Sequence, residues 1–133
     1  MSKHNTHNTG NIGLYFACYQ LAKLGWNVMP TARNARGVDI LASDAAGKAI
    51  TIQVKTLSAR NPVNITGTET LKANYLVVVL NARVEGDEQP ECYVLTADAA
   101  KAIITPHATR PWISVKALSP FRDKWHILGP AAG

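Results

Sequence analysis

Two short apolar stretches joined by a four-residue turn constrain the fold of this chain more than any other feature. Residues 38–43 (VDILAS) and 49–56 (AITIQVKT) have the composition of β-strands, and the chain turns between them at residues 44–47 (DAAG). A three-residue loop that ends in glycine is a common hairpin connection, because glycine adopts the left-handed backbone conformation without strain. If the last three turn residues form that loop, the register predicts Asp39 directly opposite Gln53.

A helical segment precedes this hairpin, and further strands and a helix follow it. Apolar residues recur at helical spacing between Asn8, a good N-cap, and Gly25, which favours the helix end. The apolar run at 75–82 is too continuous for a sheet with one solvent face, so it predicts a strand that is buried on both sides. Thr96 predicts the N-cap of a helix over 97–104. This order predicts an α/β layered domain.

Length and composition predict one self-sufficient domain. The 133 residues suit a single core, which we assign to residues 8–133, and the polar residues 1–7 predict a flexible arm. Cys18 and Cys92 follow no metal-ligand spacing, so both are predicted to be reduced packing residues. The sequence contains no signal-peptide pattern and no run long enough to span a bilayer, so we predict a cytoplasmic protein without a membrane partner.

Three polar side chains converge on one side of the predicted hairpin. Gln53 and Lys55 are two residues apart on a strand and share a face, while Ile52 and Val54 take the other face. The predicted register adds the Asp39 carboxylate to the amide and the ammonium. The plainer interpretation is an Asp–Lys salt bridge on a solvated polar face, and spacing by itself favours it.

Phosphodiester hydrolysis is the chemistry that suits this trio. A hard divalent cation such as Mg²⁺ or Mn²⁺ takes oxygen ligands, which Asp39, Gln53 and the Val54 carbonyl would supply. Lys55 would hold the attacking water or stabilise the charged phosphate. Arg33 and Arg36 lie just upstream and could contact flanking phosphates, as could Lys55. The net charge of +5 favours a polyanionic partner such as DNA.

The stretch from residue 8 to residue 57 resembles the PD-(D/E)XK nuclease-like superfamily, in particular its small Holliday-junction-resolvase-like and restriction-endonuclease-like members. Asp39 matches the motif Asp, Gln53 the acid-or-Gln position and Lys55 the Lys, and residues 21–28 (LAKLGWNV) look like the end of the family's first helix. The resemblance implies a restriction-endonuclease-like mixed central sheet flanked by helices. It also implies a metal-dependent endonuclease acting on DNA, and leaves a homodimer open.

One position departs from the family pattern. The family usually carries a Glu on the first helix that completes the metal site, whereas this chain has no Asp or Glu before Asp39. Asn11 is the candidate for a neutral helix contribution. The alternative function is therefore a nuclease-fold protein with weakened or lost activity that binds nucleic acid or a protein partner, and an unrelated α/β role is a third.

Aromatic residues offer two further interpretations. Tyr15 and Tyr19 are predicted to pack in the core, with the edge of the site as the alternative. Trp112, Phe121 and Trp125 alternate with basic residues near the C-terminal end. They favour a hydrophobic lid with a solvated rim, and the alternative is stacking of nucleic-acid bases.

Overall fold

The computed structural model describes residues 6–31, 37–65, 71–107 and 110–133. It shows a mixed α/β architecture in which a five-stranded sheet carries helices on both sides. Three short helices, two of them 3₁₀, follow one another in the C-terminal part. The elements in chain order are α1 Thr6–Lys23, β1 Asn27–Pro30, β2 Ile40–Ser43, β3 Ala49–Thr56, β4 Val63–Asn64, β5 Tyr75–Leu80, β6 Glu91–Thr96, α2 Ala97–Ala102, β7 Trp112–Ile113, α3 Val115–Leu118 and the 3₁₀ turns Ser119–Phe121 and Trp125–Leu128.

The central sheet has the strand order β1-β2-β3-β5-β6. Strands β1, β2 and β3 form an antiparallel meander, β3 runs parallel to β5, and β5 pairs antiparallel with β6. The two short strands β4 and β7 form a separate antiparallel pair. The mixed central sheet flanked by helices is the predicted fold class.

The predicted hairpin turn is confirmed. The Asp44 N–H donates to Lys48 O at 2.9 Å, and Gly47 takes the left-handed conformation with φ of +88°. The Asp44 side chain stabilises the turn, since its Oδ1 accepts from the N–H groups of Ala46 and Lys48 at 3.1 and 2.8 Å. Turn chemistry of this kind fixes the register of the whole hairpin.

Strand β5 is buried on both sides, as its continuous apolar run predicts. Val77 and Val79 belong to a core cluster that packs under α1, whereas Leu76, Val78 and Leu80 belong to a second cluster on the opposite face. The first cluster includes Leu21 and Trp26, and the second includes Leu95 and Ile113. The sheet is therefore the middle layer between two apolar cores.

Several local predictions were wrong. Helix α1 begins at Thr6, so Asn8 is not its N-cap and His7 lies in the helix and not in the predicted arm; residues 1–5 are outside the described residues. The predicted last strand at 126–128 is a 3₁₀ turn. The predicted cap at Thr96 is confirmed, because its Oγ1 accepts from the Ala99 N–H at 3.0 Å.

The prediction for the cysteines agrees with the structure. Cys18 and Cys92 are both free thiols, and burial raises the pKa of Cys92 to about 12. Across the described ranges, no helix has both the length and the hydropathy to span a bilayer.

Candidate functional site

The ladder between β2 and β3 brings Asp39 to Gln53. Its last pair joins Ile40 to Ile52, so one further step places Asp39 opposite Gln53, as predicted. The Asp39 N–H donates to Ile52 O at 2.8 Å, and the Val54 N–H donates to Asp39 Oδ2 at 2.7 Å. The carboxylate is therefore held against β3 by a backbone donor, at the end of the hairpin away from the turn.

Gln53 and Lys55 lie on the face of the sheet opposite α1. Their register partners on the parallel strand β5 are Leu76 and Val78, which both belong to the second core cluster. Alternate residues of β3, such as Ile52, face the α1 cluster instead. The period of two along a strand thus separates the polar site from the α1 layer, as expected.

The Gln53 amide is the most unusual polar group of the site. Gln53 is only 8 % exposed, and its Oε1 is buried without a hydrogen-bond partner. A buried acceptor that lacks a donor typically costs about 1–3 kcal/mol. Such groups are rare in native proteins, and the known reasons for them include backbone or side-chain strain, a catalytic role, and the binding of water or an ion. Gln53 Oε1 therefore presents a ready oxygen ligand beside Asp39.

Lys55 is half-buried and interacts electrostatically with Asp39. Burial lowers the pKa of Lys55, and the negative charge of Asp39 opposes this change. The direct ion pairs of the described residues join Arg60 to Glu91 and Arg122 to Asp123. The predicted alternative of a simple Asp39–Lys55 salt bridge is therefore wrong, since these two groups interact without direct contact.

The oxygen atoms of this site fit a hard divalent cation. Asp39 offers a carboxylate and Gln53 an unpartnered amide oxygen, the ligand types that Mg²⁺ prefers. No group of three or more His, Cys, Asp and Glu side chains with metal-binding geometry occurs within the described ranges. A cation here would accordingly rely on one carboxylate, neutral oxygens and water or phosphate. The Val54 N–H is bonded to Asp39, and the Val54 carbonyl stays a predicted ligand.

Of the other predicted site residues, Arg33 and Arg36 lie outside the described residues. Asn11 is half-buried and lies about 200° around α1 from Gly13, which faces the sheet. The packing therefore gives no support to a helix contribution from Asn11. Tyr15 and Tyr19 are 60 % and 55 % exposed, so their predicted core packing was wrong.

One contact beside the site was missed from the sequence. Gly13 of α1 packs so closely on β3 that a Cβ atom there would overlap the Thr56 hydroxyl, whose Oγ1 is also buried without a partner. Near the start of the same helix, Arg83 Nε donates to Thr9 Oγ1 at 3.4 Å. A glycine in the interior of a helix was the available signal, because such a residue often permits close packing.

Comparisons with solved structures identify the fold. A bacterial homing endonuclease matches with a TM-score of 0.63 and 16 % identity, over 94 % of this chain and 93 % of that protein. The Holliday junction resolvase of the archaeal hyperthermophile Archaeoglobus fulgidus matches with a TM-score of 0.60 and 13 % identity, over 90 % of this chain and 93 % of the resolvase. This chain has the PD-(D/E)XK nuclease-like fold.

The PD-(D/E)XK nuclease-like fold covers nearly the whole chain in both comparisons, so the similarity extends well beyond the hairpin. No family model matches the sequence, and no curated protein matches it. The likeness to these two proteins therefore lies in the arrangement of the layers and not in the sequence.

Proposed function

We propose that this protein is a divalent-metal-dependent endonuclease that hydrolyses phosphodiester bonds of DNA at Asp39, Gln53 and Lys55. The buried, unpartnered Oε1 of Gln53 carries the proposal. It lies on a strand neighbouring Asp39 and on the same face as Lys55. Both structural neighbours described above are nucleases, and this supports the proposal at the level of the fold.

Each residue has a distinct task in this proposal. Asp39 supplies the negative charge that attracts a cation, and the Val54 N–H holds its carboxylate in place. Gln53 supplies a neutral oxygen from a buried position. When bound, Mg²⁺ or Mn²⁺ would lower the pKa of a water molecule and neutralise charge on the phosphate. Lys55 contacts the charged phosphate or orients the water, and its partial burial strengthens that electrostatic effect.

A non-cleaving binding protein is the second candidate function. The observation that favours it is the small number of acids, because the described residues form no group of three or more His, Cys, Asp and Glu side chains around Asp39. Fewer anionic ligands weaken the binding of a hard cation, so more of the coordination would come from the substrate phosphate. Such a protein would keep the fold and bind nucleic acid or a protein partner without cutting.

A cleavage assay separates the two functions. Purified protein is incubated with labelled duplex, single-stranded and branched DNA in Mg²⁺ or Mn²⁺, and a chelator serves as a control. We expect metal-dependent cleavage that Lys55→Ala and Asp39→Asn both abolish. Lys101→Ala, which removes an exposed lysine of α2, is the matched control and should cleave normally.

Two outcomes contradict the proposal. Cleavage that persists unchanged in both site variants would assign the activity to another site or to a contaminant. A well-folded protein that cuts none of these DNAs in either metal would instead favour the binding protein.

Dimerisation, cytoplasmic location and phosphate contacts by Arg33 and Arg36 are further parts of the nuclease proposal.

A further inference from the structure

Trp112 is the tryptophan that packs in neither core. Trp26 belongs to the α1 cluster and Trp125 packs against it, whereas Trp112 is part of neither cluster. Its half-exposed indole lines a surface pocket of about 380 Å³. The other described residues that line this pocket are Pro62, Asn64, His107 and Arg110.

The backbone holds Trp112 firmly on both sides. Strand β7 pairs Trp112 with Asn64 of β4, and on the other side Trp112 exchanges two hydrogen bonds with Thr105 at 2.7 and 3.2 Å. The next residue, Ile113, is fully buried in the second core cluster. An aromatic surface that is fixed before a ligand arrives loses little conformational entropy on binding.

The chemistry of the pocket suits a nucleotide. The His107 ring lies 6.0 Å from the Trp112 ring at an interplanar angle of 48°, so two aromatic rings border the same space. The cationic residue Arg110 also lines the pocket, and its backbone N–H donates to His107 Nδ1 at 3.1 Å. Asn64 adds an amide that can donate and accept hydrogen bonds. None of the five described lining residues is acidic.

We infer that this pocket binds an unpaired base of the DNA. The base stacks on Trp112, and Arg110 pairs with a neighbouring phosphate. Stacking platforms next to cationic residues are the usual means of binding single strands, because every base has an aromatic face. The excess of basic residues in the chain favours this polyanion over a peptide. The inference rests on the proposed function in one respect, that the ligand is DNA.

The pocket is also within reach of the candidate site. Val63 of β4 and Ile113 of β7 pack in the core cluster on the Gln53 and Lys55 face, and the pocket lies on the outer side of that layer. Pro62, which lines the pocket, follows Lys55 by seven residues, and these span at most about 25 Å. At about 3.4 Å per nucleotide, this distance corresponds to roughly seven nucleotides of a DNA strand held at Lys55.

The test measures binding without cleavage. All variants carry Lys55→Ala and are titrated in chelator against a fluorescein-labelled single strand of 16 nucleotides and against the corresponding duplex, by anisotropy. Trp112→Leu keeps an apolar side chain and should bind the single strand about 5- to 100-fold more weakly, with a much smaller effect on the duplex. Trp112→Phe keeps an aromatic face and should retain most of the affinity. Tyr19→Ala, which removes an exposed aromatic ring of α1, is the control and should bind normally.

Salt dependence separates the stacking from the charge. Arg110→Ala should reduce the slope of log affinity against log salt by about 0.7 for a single strand, whereas Trp112→Leu should leave that slope unchanged. The inference is overturned if folded Trp112→Leu protein binds the single strand as tightly as its parent, or if only a peptide or protein partner is sensitive to the substitution. Cleavage by the wild type is measured separately, so failure of the nuclease and failure of the pocket are distinguishable.

Discussion

At the scale of single residues, a substitution at Gln53 separates two effects of its side chain. One is the cost of burying the amide oxygen, and the other is its proposed use as a metal ligand. Gln53→Met keeps the length of the side chain and removes the buried acceptor that has no donor. We expect the free energy of unfolding to rise by about 1 kcal/mol, because the desolvation cost of the amide disappears. Urea denaturation measures this change. We expect metal-dependent cleavage to be lost in the same variant.

The control for this substitution is Gln20→Met, which changes a half-buried glutamine of α1. Its stability should change by no more than about 0.5 kcal/mol. If Gln53→Met is clearly less stable than the wild type, the amide of Gln53 contributes favourable interactions to the fold, and the case for a reserved metal ligand fails.

The lowered pKa of Lys55 predicts a pH-dependent difference in stability. Burial favours the neutral amine in the folded protein, and the nearby Asp39 charge reduces that effect. In the unfolded chain, lysine titrates near 10.4. Between the lowered folded value and 10.4, the unfolded state binds more protons, so the stability of the folded state rises with pH in that window.

Lys55→Met removes this effect and leaves the other titrating groups in place. We expect the variant to be as stable as or more stable than the wild type at neutral pH. We also expect the wild type to gain on it as the pH approaches 10. Chemical denaturation of both proteins at several pH values gives the difference directly. A difference that is constant across this range would show that Lys55 titrates normally.

At the scale of elements, the contact between α1 and β3 depends on Gly13. Gly13→Ala would place a Cβ atom on the Thr56 hydroxyl. We expect destabilisation by about 1–3 kcal/mol from overpacking, although alanine is the better helix former. The matched control is Gly10→Ala in the same helix, where nothing lies within 4 Å and stability should rise by up to about 1 kcal/mol.

Thermal and urea denaturation compare the two alanine variants. If Gly13→Ala is stabilising in the same way as Gly10→Ala, α1 can move away from Thr56 without cost. The close approach of Gly13 to Thr56 would then contribute nothing to stability. Cleavage adds a second measurement, because a displaced helix would shift Thr56, which follows Lys55 directly.

The hairpin shows what local sequence can predict. The glycine-ended turn fixed the register, and the register alone places Asp39 across from Gln53, so the central pair of the site follows from residues 44–47. The burial of β5 on both faces also follows from composition, because a strand with an uninterrupted apolar run has no polar face that could be exposed to solvent.

The features that were missed depend on long-range packing. Tyr15 and Tyr19 match a helical apolar stripe, yet α1 turns its small residues toward the sheet, since Gly13 and Ala17 permit close approach. The missing hydrogen-bond partner of Gln53 Oε1 could not be predicted either, because no local pattern shows whether a donor from a distant part of the chain will reach a buried acceptor. The Trp112 pocket is assembled from segments on either side of α2.

At the scale of the whole molecule, two apolar layers share one sheet. The α1 cluster and the opposite cluster both take residues from β5 and β6, so neither layer has a sheet of its own. This sharing joins the described elements of both layers through the same two strands. It also supports the site face, since strand β3, which carries Gln53 and Lys55, is paired with β5 over residues 52–56.

Shared strands predict that the protein unfolds in one cooperative step. Leu21→Ala opens a cavity in the α1 cluster and Leu95→Ala one in the opposite cluster, and both leucines are fully buried. We expect each variant to lose about 2–5 kcal/mol of stability. Leu24→Ala changes a leucine that is 48 % exposed and should differ little from the wild type.

Urea denaturation followed by circular dichroism and by tryptophan fluorescence tests this cooperativity. Because both layers depend on β5, the two signals should give coincident single transitions with unchanged m-values in both core variants. If Leu95→Ala loses its own layer first, while the signal from buried Trp26 persists to higher urea, the two layers are separate folding units. The layer on the site face could then unfold while the α1 layer remains folded. In that case the pairing of β2 with β3 alone would hold Asp39, Gln53 and Lys55 in their arrangement.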